Sequence, residues 1–306
     1  MSEACCDTIV GIVSPGEMGA ALGRVVADNG FRVVTTLAGR SSRTQKHCVD
    51  ARLEVVESFE QVVLLSDVFI SVVPPASARP LAEQYIAHAH RRRRPTIYVD
   101  ANSISPQTAT QVGEIVSRAN VQFVDASIHG QAAHLRPMGT VYLSGRAAGN
   151  VAALFGKAVQ VRLLGGDAGR ASEMKMLMGG VSKGLVALFL EMRAVAHESD
   201  LLDEFMEGCR SFYPGIMSAI DRLLPTYPRH AARRGDEMRE LERTIVSLGL
   251  RPSIIRGARR TISSVGALSL DDRRRPGASA TWSVREVVAE VSQAKALRTS
   301  GAAQGD

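Results

Sequence analysis

The first residues with a pattern suited to chemistry form a glycine-bearing turn near the amino terminus. An apolar run, 9–13, enters the turn and a helical pattern follows, so backbone N–H groups and a helix N-terminus can bind a pyrophosphate. Gly16 permits close backbone approach and Gly19 tight helix packing, although Ser14 stands where a glycine would ease the turn. We therefore predict dinucleotide binding rather than an ordinary strand-to-helix turn. The predicted contacts are Ser14, Pro15, Gly16, Glu17 and Met18.

A second candidate segment follows the next apolar run. A carboxylate here would accept hydrogen bonds from an adenosine ribose, but the chain has Gly39-Arg40-Ser41-Ser42-Arg43. Arginine and serine suit a 2′-phosphate by charge and hydrogen bonding, whereas an acid would repel it. We therefore predict NADP rather than NAD as the cofactor, with contacts from Gly39, Arg40, Ser41 and Arg43. Ser41 and Ser42 can also serve as a helix N-cap, and both roles can hold together.

Short apolar runs alternate with helical patterns through the first half of the chain. This alternation predicts a mostly parallel, doubly wound sheet, whose carboxyl edge is where ligands bind in such folds. The predicted strands are Thr8–Val13, Arg32–Leu37, Val68–Val73, Thr96–Val99, Gln122–Ala126 and Thr140–Ser144. The predicted helices are Met18–Asn29, Arg43–Asp50, Ala76–His90 and Pro106–Ala119.

Strand patterns fade after the glycine-rich segment 165–169. The segment Ala171–Glu198 has one long, mostly apolar helical pattern, which predicts burial between domains or in a dimer. Further predicted helices are Leu202–Phe212, Pro214–Leu224, Arg233–Leu248, Ser253–Leu268 and Thr281–Leu297. We expect an α/β Rossmann-type doubly wound sheet followed by an all-α C-terminal domain, linked by a long helix. The predicted divisions are a dinucleotide-binding domain at 1–165, a helical substrate and dimerisation domain at 166–300 and a flexible tail at 301–306.

Composition narrows the class of protein. The chain has 306 residues, 45% of them hydrophobic, and a formal charge of +6, which fits a sizeable core and a surface that attracts anions. The arginine run 91–94 is isolated and lacks interleaved aromatic residues, so we expect no nucleic-acid partner. The apolar stretch 176–190 is too short and interrupted to span a membrane. The four cysteines show no metal-ligand spacing and, without a secretory signal, predict reduced thiols in a cytoplasmic protein.

Five segments along the chain share an order and spacing that is fairly specific. They are Gly16-Glu17-Met18-Gly19, Gly39-Arg40-Ser41, Ser66-Asp67 with Ile70-Ser71-Val72-Val73-Pro74, Asp125-Ala126-Ser127-Ile128-His129-Gly130, and Gly169 through Lys175. Together they resemble the β-hydroxyacid dehydrogenase family, the relatives of 6-phosphogluconate dehydrogenase and 3-hydroxyisobutyrate dehydrogenase. The region around 225–240 is similar to a poorly characterised helical C-terminal domain that accompanies a subset of these dehydrogenases.

The resemblance implies roles for particular residues. Lys175 stands at the position of the family's catalytic lysine and would be the general acid/base. From the residues alone, Lys175 could equally lay its stem along an apolar helix with its ammonium in water. The implied substrate-binding residues are Ser127, His129 and Gly130, and the implied residues near the nicotinamide are Val73, Pro74 and Asn102. The family also buries the long helix in a homodimer.

Two departures from the family pattern concern the substrate. The family has an asparagine three or four residues after the lysine, where this chain has Met178 and Gly179. Lys183, on roughly the same helix face, can compensate by binding substrate or can be a surface lysine. His129 replaces a serine, and it can bind an anion, act as an acid/base near neutral pH or pair with backbone. We therefore expect an anionic small-molecule substrate unlike the small unbranched hydroxyacids of the standard members.

These features support three hypotheses on function. The leading one is an NADP-dependent oxidoreductase that transfers hydride between nicotinamide and a β-hydroxyacid or a related carbonyl compound. The alternative enzyme is an NADPH-dependent imine reductase. The alternative of another class is a catalytically silent NADP(H)-binding sensor or scaffold, which the altered glycine turn and the missing asparagine favour. The basic cluster 229–234 could reach a substrate, but a solvated charged face is the simpler interpretation.

Overall fold

The computed structural model describes residues 8–92, 94–272 and 281–294. The chain divides into two compact units, Met1–Lys175 and Met176–Asp306. Some sequence predictions fall outside the described residues. They concern the tail 301–306, the adjacent cysteines at 5 and 6, Arg93 of the arginine run and the end of the last helix at 295–297.

An eight-stranded sheet forms the centre of the first unit. Its strands are β1 (Ile9–Val13), β2 (Arg32–Thr36), β3 (Glu54–Val56), β4 (Val68–Ser71), β5 (Ile97–Asp100), β6 (Gln122–His129), β7 (Thr140–Ser144) and β8 (Gln160–Leu163). They lie in the order β3-β2-β1-β4-β5-β6-β7-β8, and neighbouring strands are parallel except β6 and β7. The order reverses between β1 and β4, which opens a crevice at their carboxyl ends.

Helices cover both faces of this sheet. They are α1 (Glu17–Asp28), α2 (Ser42–Asp50), α3 (Phe59–Leu65), α4 (Ala78–Ala89), α5 (Pro106–Ser117), α6 (Leu135–Met138), α7 (Ala148–Ala152) and the start of α8 (Arg170–Glu198). Alternate residues of β1 enter opposite cores: Ile12 packs with Leu22 of α1, whereas Val13 joins the core that contains Tyr85 of α4. The sheet is therefore doubly wound, with its carboxyl edge left for loops.

The second unit is helical. Its helices are the remainder of α8, α9 (Leu202–Phe212), α10 (Pro214–Leu223), α11 (Tyr227–Ser247), α12 (Ser253–Ala267) and α13 (Val284–Gln293). Val186 of α8, Ile220 of α10 and Ile262 of α12 are fully buried in one apolar core. Helices α11 and α12 approach closely at Gly266, where a Cβ would lie 2.9 Å from the backbone nitrogen of Ala232. Across the part of the chain that the structure describes, no helix combines the length and apolar character needed to cross a membrane.

The predicted fold class is confirmed, and the differences lie in short or half-exposed elements. The short elements β3, α3, α6, α7 and β8 were not predicted, because three to seven residues give little periodicity and β8 is an exposed strand of mixed polarity. Helix α11 begins at Tyr227 rather than Arg233, because Pro228 stands in its first turn, where proline is tolerated. Strand β6 continues to His129, beyond the predicted end at Ala126.

Candidate functional site

Four aligned residues mark the carboxyl edge of the sheet. Strand pairing places Val13 opposite Ser71, Ser71 opposite Asp100, and Asp100 opposite Asp125. This row crosses β1, β4, β5 and β6 in order. Strands β1, β4 and β5 end at this row, whereas β6 continues past it to His129. The predicted cofactor residues after β1 and β4, and the predicted substrate residues of β6, therefore share one edge of the first unit.

The glycine turn after β1 has the backbone that its sequence requires. Ser14 takes a positive φ of 66°, the conformation that a glycine would adopt without cost. A Cβ at Gly19 would lie 2.6 Å from the Ser14 carbonyl oxygen, so only glycine fits there. Helix α1 begins at Glu17 with Gly16 as N-cap, and nothing lies within 4 Å of a Cβ position at Gly16. The turn thus offers an open approach to the first N–H groups of a helix, which have no intrahelical acceptor.

The segment after β2 carries a cation suited to a phosphate. Gly39 has a φ of 69°, and the next residue, Arg40, is partly buried. Among the described residues, the buried Nε of Arg40 has no hydrogen-bond partner. Ser41 caps α2 by accepting from the backbone N–H of Thr44, which confirms its N-cap role. An unsatisfied guanidinium N–H beside a helix N-terminus fits an anionic group such as the 2′-phosphate of NADP.

Asn102 connects the ends of β4 and β5. Its Oδ1 accepts from the backbone N–H of Val73 at 2.6 Å, and its Nδ2 donates to Ser71 Oγ at 2.9 Å and to Asp100 Oδ2 at 2.8 Å. The side chain of Asn102 is therefore committed to shaping the chain at Val73 and Pro74. Burial, the largest cause, raises the pKa of the fully buried Asp100 carboxyl to about 7, and the Asp125 charge adds to the shift.

Lys175 lies against the strand that carries the predicted substrate residues. Its Nζ donates to the backbone carbonyl of Ile128 at 3.2 Å. Ser127 Oγ and His129 Nε2 are 3.3 Å apart on this strand. The His129 ring packs edge-on against the Tyr142 ring, with 4.9 Å between the ring centroids. Burial lowers the pKa of His129 below its usual value, and the neighbouring Lys175 ammonium lowers it further. The arrangement pairs one ammonium with a neutral imidazole and a hydroxyl.

The predicted substrate loop 127–130 needs a correction. Ser127, Ile128 and His129 belong to β6 and are held by pairing with β7, and only Gly130, with a φ of 132°, begins the turn. The neighbouring strand β7 supplies the partners that extend β6 past Ala126, which sequence periodicity alone did not reveal. Ser127 and His129 alternate onto one face of the strand, which brings their side chains together.

Lys183 lies in the second unit and forms an ion pair. Its Nζ is 3.0 Å from Glu237 Oε2, and its side chain is 15% exposed, so the lysine is paired and only partly exposed to solvent. Its predicted contact with substrate stays a prediction.

The basic cluster 229–234 contains two exposed arginines, Arg229 and Arg233, each of which forms an ion pair with an acid. A third arginine, Arg234, is mostly buried, and its Cζ lies 4.2 Å from the centroid of the Tyr227 ring.

Sequence reasoning missed the serines that bind Asp125. Ser144 Oγ and Ser172 Oγ donate to its carboxylate at 3.2 Å and 2.6 Å, and all three residues are buried. Asp125 stood within a recognised segment, but serines 19 and 47 residues away carry no local signal of a contact with it. Only the fold brings β6, β7 and the start of α8 together.

Comparison with known families identifies both parts of the chain. Residues 9–154 match the NAD binding domain of 6-phosphogluconate dehydrogenase. The first half of the chain is thus an NAD binding domain of the 6-phosphogluconate dehydrogenase type. Residues 196–265 match a domain of unknown function, DUF1932, so the chain combines the NAD binding domain with this helical C-terminal domain.

Individual relatives agree with this placement. An uncharacterised 28.5 kDa protein of Methanothermus fervidus is 28% identical over 81% of this chain and 94% of its own length. A solved conserved protein of unknown function, described as similar to 3-hydroxyacid dehydrogenases, is 29% identical, with a TM-score of 0.67 over 89% of this chain and all of its own. The 3-hydroxyisobutyrate dehydrogenase of Mycobacterium tuberculosis shares the fold, with a TM-score of 0.70 at 15% identity over 93% of this chain and 99% of that one. The fold is thus one shared with 3-hydroxyacid dehydrogenases, with an NAD binding domain at residues 9–154.

Proposed function

We propose that this protein is an NADP-dependent oxidoreductase acting on a small anionic β-hydroxyacid or the matching carbonyl acid. The observation that carries the proposal is the bond from Lys175 Nζ to the Ile128 carbonyl. This bond holds the primary amine of Lys175 beside β6, the strand that carries Ser127 and His129. Strand β6 lies next to β5, which leads into Asn102. A proton donor, an anion-binding pair and a dinucleotide fold are the parts that such an enzyme needs.

The proposed chemistry assigns the proton to Lys175. Bound NADP(H) supplies or accepts the hydride at the substrate carbon. During reduction, the Lys175 ammonium donates a proton to the carbonyl oxygen, and during oxidation the neutral amine takes the proton from the hydroxyl. The bond to the Ile128 carbonyl uses one of the three ammonium protons and aims the group along β6.

The substrate's carboxylate is assigned to the end of β6. The Ser127 hydroxyl and the His129 ring can donate hydrogen bonds, and the open backbone at Gly130 permits close approach. Because the pKa of His129 is lowered, its imidazole is neutral at pH 7, so the Lys175 ammonium supplies the positive charge. An acid with a single carboxylate fits this balance of charge.

The preference for NADP rests on the chain after β2. Arg40 and Arg43 flank the N-cap of α2, and the segment 37–43 contains no acid that would repel a phosphate. The unsatisfied Arg40 Nε supports a 2′-phosphate contact, since a buried guanidinium N–H costs free energy without an acceptor. The turn 14–18 would hold the pyrophosphate, and Val73, Pro74 and Asn102 would lie towards the nicotinamide.

A turnover screen tests the proposal. Purified protein is mixed with NADPH or NADH and with a panel of 3-oxo acids, 2-oxo acids and cyclic imines, and cofactor oxidation is followed by absorbance. We expect NADPH-dependent reduction of at least one 3-oxo acid. Turnover of cyclic imines alone would assign an imine reductase instead, for which the absence of an amide side chain at positions 178 and 179 is the supporting observation. Tight NADPH binding without turnover of any compound would contradict an enzymatic role and favour a sensor.

A further inference from the structure

Asp125 receives an unusual concentration of donors from the start of the helix that carries Lys175. Its Oδ2 accepts from the backbone N–H of Ser172 at 2.9 Å, and its Oδ1 accepts from the Ser172 hydroxyl at 2.6 Å. Ser144 of β7 donates its hydroxyl to Oδ2 at 3.2 Å and itself accepts from the backbone N–H of Ala171 at 3.2 Å. One carboxylate therefore satisfies the first turn of α8 both directly and through Ser144.

This anchor caps the helix from the sheet. Helix α8 begins at Arg170, so Ala171 and Ser172 lie in its first turn, where backbone N–H groups have no intrahelical acceptor. A negative charge at this end also interacts favourably with the helix dipole. A helix is more often capped by the side chain just before it, but here the capping carboxylate comes from β6, 47 residues earlier in the chain. The contact consequently fixes the helix to that strand.

A second contact lies one helical turn further along. Lys175 follows Ser172 by three residues, and its Nζ reaches the carbonyl of Ile128, which follows Asp125 by three residues. The helix is thus tied to β6 at two points, Asp125 to Ser172 and Ile128 to Lys175. Since each helical residue turns by about 100°, the Asp125 contact sets the direction in which Lys175 leaves the helix.

The same strand face carries the anchor and the proposed substrate groups. Asp125, Ser127 and His129 are alternate residues of β6 and therefore project to one side of it. The lysine, the hydroxyl and the imidazole are consequently placed relative to one another through a single strand.

We propose that Asp125 is a positioning residue that sets the register and rotation of α8 on β6 and so places the Lys175 amine. The inference rests on the proposed function for its effect on turnover, but the placement itself is a property of the first unit. An acid/base must lie within hydrogen-bond reach of the atom it serves, and a displacement of about 1 Å can cost about a hundred-fold in rate.

The test removes the anchor while keeping the fold. Ser172→Ala deletes the hydroxyl that donates to Asp125 and leaves the backbone bond, so it is the mild variant, and Asp125→Asn is the severe one. Ser117→Ala is the matched control, because its hydroxyl bonds only the Gly113 carbonyl within α5 among the described contacts. Thermal unfolding of all three shows how much stability each change removes.

Placement is read from the lysine itself. The chain has five lysines, Lys46, Lys157, Lys175, Lys183 and Lys295, so reductive methylation with ¹³C-formaldehyde gives a spectrum that can be assigned with Lys175→Arg. We expect Ser172→Ala to move the Lys175 resonance and alter its pH titration, while Ser117→Ala leaves both unchanged. An unmoved Lys175 resonance in Ser172→Ala and Asp125→Asn, with only a loss of thermal stability, would overturn the proposal.

Turnover gives the second readout. With the best substrate of the screen, we expect Ser172→Ala to lower kcat by about ten-fold to a hundred-fold and to leave the NADPH dissociation constant within about two-fold. Asp125→Asn should cause no further loss in a Lys175→Met background, because the anchor acts through the lysine. Losses of Asp125→Asn and Lys175→Met that add fully in the double variant would contradict the positioning role of Asp125. If Lys175→Met itself retains full turnover, the proposed function fails. The resonance of methylated Lys175 in Ser172→Ala still decides whether Asp125 places the amine.

Discussion

The charges of single residues define the site at the residue scale. Lys175 keeps its ammonium beside a histidine whose pKa is lowered by burial and by that same ammonium. A neutral His129 can donate a hydrogen bond to a carboxylate without a second positive charge, whereas a protonated His129 would add a positive charge beside Lys175. Compared with the serine of the family pattern, His129 therefore extends the hydrogen-bond donor further from the backbone and adds no charge at pH 7.

Cofactor choice depends on two arginines. Arg40→Ala combined with Arg43→Ala should weaken NADPH binding by about ten-fold to a hundred-fold, because a charge-assisted contact contributes about 1.5–3 kcal/mol. NADH binding should change little, since it lacks the 2′-phosphate. Fluorescence titration with both cofactors measures this, and Arg162→Ala, at an exposed position of β8, is the control. An equal loss for NADPH and NADH would contradict the assignment.

The buried carboxyl of Asp100 predicts a pH dependence of stability. Burial raises its pKa to about 7, whereas an aspartate in the unfolded chain titrates near 4, so the folded state retains the proton between these values. The contribution of Asp100 is then fully present below about pH 4 and is lost as pH rises to about 7. The shift corresponds to about 4 kcal/mol as an order of magnitude.

Urea unfolding across this pH range tests whether the contribution of Asp100 to the unfolding free energy falls as pH rises. The difference in unfolding free energy, wild type minus Asp100→Asn, should fall as pH rises from 4 to 7 and then level off. Val49→Thr, at an exposed position of α2 without a titratable group, should give a constant difference from wild type. Parallel curves for wild type and Asp100→Asn would show that Asp100 titrates normally.

At the element scale, patterns in the sequence predict long elements well and contacts poorly. The helix Leu202–Phe212 and the strand Thr140–Ser144 have the predicted bounds, because their periodicity and flanking residues are clear. The end of β6 was missed because its continuation, Ser127 to His129, depends on pairing with β7. The anchor of α8 at Asp125 escaped prediction for the same reason, since its donors come from distant segments.

The turn after β1 gives a prediction about backbone strain. Ser14 has a φ of 66°, which costs a residue with a side chain about 1 kcal/mol. Ser14→Gly should therefore raise the unfolding free energy by up to about 1 kcal/mol and leave the dinucleotide turn intact. Ser182→Gly, in the helical backbone of α8, should lower it by about as much, because glycine is a poor helix former. A loss of stability in Ser14→Gly would show that the Ser14 side chain contributes more than its backbone costs.

At the scale of the whole molecule, the second unit leaves an apolar helix face exposed. Val181, Leu188 and Val195 of α8 are each more than half exposed, and their spacing of seven residues places them along one side. An isolated chain rarely exposes such a stripe, so we expect a homodimer that covers it. The low polarity of this helix predicted from the sequence that it is buried in a dimer or between domains, whereas the side of the helix that stays exposed is known only from the structure.

Sedimentation velocity tests the expected dimer. Wild type should sediment as a dimer at micromolar concentration, and Leu188→Glu should shift it towards monomer because the charge would be buried in the interface. Val49→Glu, at an exposed aliphatic of α2 in the first unit, is the matched control. A monomeric wild type, or a dimer that Leu188→Glu leaves unchanged, would contradict the role of this face.

The proposed reaction depends most directly on the amine of Lys175. Single-turnover reduction of the best acid substrate by bound NADPH compares wild type with Lys175→Met, with the exposed Lys157→Met as control. We predict a loss of about a hundred-fold or more in the rate for Lys175→Met, with unchanged NADPH affinity, since general acid/base groups contribute at least this much. A rate within two-fold of wild type would show that Lys175 does not move the proton.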